Sequence, residues 1–143
     1  MKDSVLIKIA DKSDIENLYE LNRLFENETT IEKMLKHFEQ NENEIICIAY
    51  MNNIAAGYCT GLIIRSVCYE NLRLDLEALF VKNEYRKKGI GKALLFFIEE
   101  EAKARGIYHF HAITNNHNKK ARRLYKSTGF KDTGEIMLDK TVL

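Results

Sequence analysis

Residues Leu74 to Leu95, LDLEALFVKNEYRKKGIGKALL, constrain the fold more tightly than any other stretch of this chain. Leu74, Leu76, Ala78 and Phe80 alternate with Asp75, Glu77 and Leu79, the period of two that a half-buried strand needs. A polar, basic turn over 82–88 follows, then Gly89, Ile90 and Gly91. From there Ile90, Ala93, Leu94, Phe97, Ile98 and Ala102 recur at helical spacing until Gly106 supplies a C-cap. A strand that passes through such a turn into a helix makes an anion cradle. The first amides of a helix have no intrahelical acceptor, and the helix dipole adds partial positive charge there. Gly89 and Gly91 let the backbone approach a ligand with no Cβ in the way. Arg86, Lys87, Lys88 and Lys92 ring the same opening, so a pyrophosphate is its natural occupant.

The remaining residues sort into elements around this motif. Strand patterns cover 5–10, 45–51, 54–64, 72–81 and 107–114, with a last strand core at 135–138. Helical patterns follow a cap at Asp11 or Ser13 (Ile15, Leu18, Tyr19, Leu21, Leu24) and one at Thr29 or Thr30 (Ile31, Met34, Leu35, Phe38). A helix over 118–128 stops at Gly129. Asn52-Asn53 makes a hairpin turn because Asn tolerates positive φ, and Gly57 and Gly61 mark candidate bulges. The order β α α β β β α β α β places three hairpin-linked strands before a βαβα run. It predicts an α/β fold on a mixed sheet. No linker, repeat or low-complexity stretch interrupts it, so one domain over 1–143 is expected.

Composition closes several other routes. The 143 residues, 45% of them hydrophobic, supply a core without disulfides or metals, since a chain of this size buries ~68–70% of its unfolded surface. Twenty-two basic and 21 acidic residues leave a net charge of +1 and no electrostatic reason to expect nucleic acid or an anionic membrane as partner. No apolar run approaches the ~20 residues that span a bilayer, and the charged N-terminus is no signal peptide, so a soluble, cytoplasmic protein is expected. Cys47, Cys59 and Cys68 lack a Cys-x-x-Cys pair and read as buried reduced thiols. His109, His111 and His117 invite a metal reading, but no third ligand of suitable spacing lies near the strand pair His109 and His111. No metal is expected.

Spacing decides among phosphate-binding loops. A Walker A loop needs four residues between its glycines and a hydroxyl after the lysine; here only Ile90 intervenes, and Ala93 follows Lys92. A dinucleotide fingerprint needs a small residue where Leu94 stands, and belongs in a first βα unit rather than mid-chain. Arg-x-x-Gly-x-Gly at Arg86, Gly89 and Gly91, after a Leu-Phe-Val strand end, resembles the acetyl-CoA pyrophosphate loop of the GNAT N-acetyltransferase superfamily. Asn118-x-x-Ala121, Leu124-Tyr125 and Gly129-Phe130 resemble that family's second signature, one strand further on. Many relatives carry Pro where this chain has Lys82-Asn83-Glu84, a loss of preordering that removes no donor.

The resemblance implies a GNAT-like fold whose sheet splays after the fourth strand, flanked by about four helices, with acetyl-CoA as cosubstrate. Leu79, Phe80 and Val81 would lie beside the pantetheine arm, with the Leu79 and Val81 amides pointing the same way. Arg86, Lys87, Lys88, Gly89, Ile90, Gly91 and Lys92 would hold the diphosphate, and Asn118 and Ala121 the pantetheine region. Glu77 is the expected general base, sharing parity with Leu79 and Val81, and Asp75 is its reserve. Tyr125 would stand at the departing thiolate. The expected acceptor is a small-molecule primary amine. Protein N-termini or lysines, and a non-catalytic acyl-CoA sensor, are the alternatives. The acceptor site is expected from 25–30, the 65–71 loop and the chain end. Relatives of this kind are often dimers, which leaves a homodimer open.

Overall fold

Five alternating segments form one sheet in the computed structural model, which describes residues 3–143. They are β1 (Val5–Ile9), β2 (Glu44–Met51), β3 (Ile54–Ile64), β4 (Arg73–Val81) and β5 (Phe110–Ala112), hydrogen-bonded in that order. The first three pairings are antiparallel and β4 with β5 is parallel, so the sheet is mixed as the element order predicts. Asn52 and Asn53 turn the β2–β3 hairpin at φ 50° and 68°, the left-handed pair that a two-residue hairpin requires. The helices are α1 (Ile15–Leu24), α2 (Ile31–Gln40), α3 (Ile90–Ala104) and α4 (Lys119–Ser127). The chain divides into two compact units, 1–113 and 114–143.

In the first unit the sheet is buried on both faces. Ile46, Ile48 and Tyr58 pack with Leu18 and Leu21 of α1, and Met34 and Phe38 of α2 close over them. The other face lies under α3, whose Ile90, Leu94, Leu95, Ile98 and Ala102 are buried. Cys47 and Cys59 stand opposite each other across β2 and β3, and burial pushes the Cys47 thiol up to about 12. Both are inert packing thiols. Cys68 is exposed, which corrects the expectation that all three cysteines are buried.

Where β1 hands over to α1, one carboxylate holds three groups. Asp14 is 4% exposed and accepts from Lys8 Nζ (2.8 Å), Tyr50 Oη (2.6 Å) and the Asp11 amide (2.9 Å). Burial alone would raise its pKa, but those hydrogen bonds outweigh it and hold the carboxyl below the ordinary carboxylate value. The stability this provides is present above the unfolded pKa near 4 and is lost as pH falls through the lowered folded value. Asp14→Ala leaves the Tyr50 hydroxyl without its acceptor and Lys8 with Asp11 alone at 3.2 Å, so it should cost roughly 2–3 kcal/mol at pH 7 in urea unfolding. That deficit should shrink as the pH is taken down past 3.

Two differences from the sequence expectation concern strand ends. The strand over 107–114 is reduced to Phe110–Ala112, and no strand forms at 135–138. A strand needs a neighbour for its backbone groups, and Ile136, Met137 and Leu138 are 82%, 67% and 85% exposed. The second unit is built on α4 instead. Phe130 turns back to bond the Tyr125 carbonyl at 3.1 Å, and Arg122 and Lys126 reach Asp132 at 2.9 and 3.2 Å. No helix among the described residues is long and apolar enough to cross a membrane.

Candidate active site

The site starts from a register slip in β4. Thr60 pairs with Ala78, but the next residue, Gly61, pairs with Leu76, so Glu77 is an extra residue in the β4 strand. Such a bulge turns the alternation over. Leu74 and Leu76 share the α3 face, whereas beyond the bulge that face belongs to Leu79 and Val81. Glu77 therefore lies on the opposite face, beside Ala78 and Thr60. The expected parity of Glu77 with Leu79 and Val81 is corrected here; its shared face with Asp75 stands. Gly57 and Gly61 each adjoin an irregularity without being its extra residue: Ala56 is extra between Gly57 and Ala55 against β2, and Gly61 stands at the slip opposite Glu77. Each is glycine because β4 comes too close, a Cβ at Gly57 falling 2.6 Å from the Phe80 carbonyl and one at Gly61 falling 2.8 Å from Leu74 Cγ.

The bulge also sets the backbone donors. The Lys82 amide bonds the Ala56 carbonyl at 2.8 Å, so alternate residues Phe80 and Ala78 direct their amides to β3. Leu79 and Val81 direct theirs the other way. On that edge β5 pairs only with Leu74, Asp75 and Leu76, and no strand pairs with Glu77 to Val81 among the described residues. The sheet splits there, leaving two parallel-pointing amides two residues apart. Arg86 Nε donates to the Val81 carbonyl at 2.9 Å with its guanidinium 5.8 Å over the Phe80 ring. Arg86 thus braces the end of the split strand. The Phe80 side chain is itself a packing group, 5.1 Å from the Phe25 ring.

The helix start behaves as an anion cradle should. Lys87 and Gly89 adopt left-handed φ of 63° and 80°, and Gly89 is the N-cap of α3. The first intrahelical bond runs from the Ala93 amide to the Gly89 carbonyl at 3.0 Å, so the amides of Ile90, Gly91 and Lys92 open the helix. Ile90 anchors this turn with its side chain 2% exposed. Lys87, Lys88 and Lys92 surround it at the surface, Lys88 lying 3.8 Å from Asp3. Donors, dipole and cations fit a diphosphate.

Glu77 faces a cavity of about 480 Å³ on the α1–α2 side of the sheet, within the range of small-ligand sites. Asn22 of α1, Asn27 and Thr29 of the connection, Lys33 and His37 of α2, and Glu44 of β2 line it as well. Of the expected acceptor segments, 25–30 contributes and the 65–71 loop does not. Lys33, His37 and Glu44 escaped the sequence reading because they flank the apolar stripe of a helix and begin a strand. Their signal is the i, i+4 spacing of Lys33 and His37 on one helix face. Tyr58 also lines the cavity, but burial pushes its hydroxyl up to about 12, and it donates to Asn22 Oδ1 at 2.7 Å. It stays a neutral donor. Asp75 is held by Arg73 at 2.6 and 3.2 Å, whereas Glu77 makes no ion pair or side-chain hydrogen bond among the described residues.

In the second unit Asn118 caps α4, its Oδ1 accepting the Ala121 amide at 3.1 Å, which gives the Asn-x-x-Ala pattern a local structural cause. The Tyr125 ring meets Phe130 edge-on at 5.3 Å. His109 and His111 approach to 3.0 Å between Nε2 atoms, and no group of three or more metal-ligating side chains forms among the described residues.

Residues 15–130 match the model of the Acetyltransferase (GNAT) family, through the split strand, the cradle and α4 alike. The chain belongs to that family. The uncharacterised N-acetyltransferase YhfO of Bacillus subtilis strain 168 is 32% identical over 136 residues, 90% of this chain and 90% of its own length. Human N-acetyltransferase 8 is 28% identical over 107 residues, 75% of this chain but only 47% of that protein. The chain thus spans about half the length of that GNAT relative. An aminoglycoside acetyltransferase from an uncultured soil metagenomic sample, solved with sisomicin, superposes with a TM-score of 0.85 at 20% identity, covering 97% of this chain and 96% of its own. That likeness is one of fold, and it extends over the GNAT sheet and helices described above.

Proposed function

We propose that this protein transfers the acetyl group of acetyl-CoA to a primary amine of a small molecule, as one domain over 1–143. The observation that carries this reading is the split in β4: paired outward amides at Leu79 and Val81, a diphosphate cradle at the start of α3, and a carboxylate at the bulge between sheet and cavity. The Val81 amide holds the pantetheine arm and the Leu79 amide meets the thioester carbonyl oxygen. A backbone donor at a developing oxyanion is worth ~2.7–4 kcal/mol in acyl-transfer enzymes. Amides 90–92, with Lys87, Lys88 and Lys92, hold the diphosphate, and Asn118 and Ala121 flank the pantetheine.

An alkyl ammonium of pKa ~10.4 costs about 4.6 kcal/mol to deprotonate at pH 7. Glu77, directly or through water, takes that proton. The amine nitrogen then forms the C–N bond at the thioester carbonyl as the C–S bond breaks. The sulfur leaves with the electron pair and gains a proton, giving the N-acetyl amine and free CoA. Tyr125 hydrogen-bonds the departing sulfur. Full donation from a phenol of pKa ~10 to a thiolate of ~8.5 runs uphill by ~2 kcal/mol, so the final proton comes from the amine.

The test has two stages. Acetyl-CoA at a hundred times its Kd should stabilise the protein by ~2.7 kcal/mol, raising Tm by roughly 8–13 °C. An amine panel should then release free CoA. Stabilisation without CoA release from any amine would make the protein an acyl-CoA sensor; no stabilisation would remove acetyl-CoA from the reading.

A further inference from the structure

We infer that the acceptor is a zwitterion, an amine that also carries a carboxylate, with Lys33 binding the carboxylate while Glu77 faces the ammonium. This rests on the N-acetyltransferase reading. The choice turns on which side chains of the cavity already have partners. Besides Tyr58, one lysine, one histidine and two glutamates line it: Lys33, His37, Glu44 and Glu77. His37 and Glu44 satisfy each other at 2.7 Å, and Glu44 is further fixed because Asn41 brackets its backbone at 2.8 and 2.7 Å. With that hydrogen bond made, Lys33 and Glu77 are left. Neither the Lys33 ammonium nor the Glu77 carboxylate has an ion-pair or hydrogen-bond partner among the described residues.

The two sit on different layers, Lys33 on the first turn of α2 and Glu77 on the sheet. Thr30 caps that turn, its Oγ1 accepting the Lys33 amide at 3.1 Å, so the positive end of the α2 dipole adds to the lysine. Thr29 and Asn27 beside it are neutral hydrogen-bonding groups. A polyamine or a many-amine sugar would bring a further ammonium towards Lys33, a like charge with no second free carboxylate in the cavity to offset it. An amino acid, with its charges of opposite sign, meets both walls.

The experiment compares kcat/KM for amine pairs that differ only by the carboxylate: lysine against cadaverine, ornithine against putrescine, tyrosine against tyramine. Wild-type protein should prefer the amino acid at least 10-fold in one or more pairs. Lys33→Gln should flatten that ratio. Lys33→Glu should invert it, moving the preference at least 100-fold towards the amine lacking a carboxylate. Lys33 is exposed, and an unchanged Tm shows that each variant is folded. CoA release from amines with no carboxylate preference, or a ratio unmoved by Lys33→Glu, overturns the zwitterion and leaves the N-acetyltransferase reading intact. No CoA release from any amine overturns both.

Discussion

Glu77→Gln should lower kcat by ~10²–10⁴-fold at pH 7, the usual worth of a positioned general base. The amide is isosteric and keeps the bulge, so the acetyl-CoA stabilisation should persist. The pH profile separates a base from a residue that merely binds a cation. In the variant the free amine must come from solution, and its fraction rises tenfold per pH unit up to the amine's own pKa near 10. The variant's kcat should therefore climb with unit slope over that range, and its deficit against wild type should narrow. A deficit that stays constant from pH 7 to 10 would mean that Glu77 only binds the ammonium. An unchanged kcat would remove it from the chemistry. Asp75 is a poor substitute, because Arg73 holds both of its oxygens at 2.6 and 3.2 Å.

The strand, basic turn, glycines and helix at 74–105 were legible because each is a local property: period two, charge, φ freedom, period 3.6. The bulge was not. A one-residue slip between Thr60 and Gly61 depends on what β3 presents to β4, and the glycines that signal the close approach look alike whether they bulge or merely make room. The same limit explains the lost strand at 135–138, since apolar residues in a row do not name the partner that would pair with them. Arg86 shows a third case. Its place in the signature suggests an anion ligand, yet its guanidinium bonds the Val81 carbonyl. A charged residue beside a cradle can serve by bracing the backbone that forms it. The cavity was legible in part: Asn27 and Thr29 come from the expected 25–30 segment, but Lys33, His37 and Glu44 become neighbours only once α2 lies over β2.

Gly89→Glu should abolish the thermal response to acetyl-CoA while leaving a folded protein. Gly89 sits at φ 80° and ψ 8°, and a Cβ there meets nothing within 4 Å. Space is available, so the folding cost is the left-handed backbone alone, ~1–2 kcal/mol for an L-residue, which lowers Tm by roughly 3–10 °C. Binding suffers more. The new carboxylate stands at the N-cap of α3, where the amides of residues 90–92 and the helix dipole await a diphosphate. It competes for those amides and repels the ligand. Gly89→Ala carries the same backbone strain without the charge and should keep a measurable part of the upshift, so the pair separates strain from electrostatics. A Gly89→Glu protein that still gains the full wild-type stabilisation from acetyl-CoA would show that the diphosphate binds away from the start of α3.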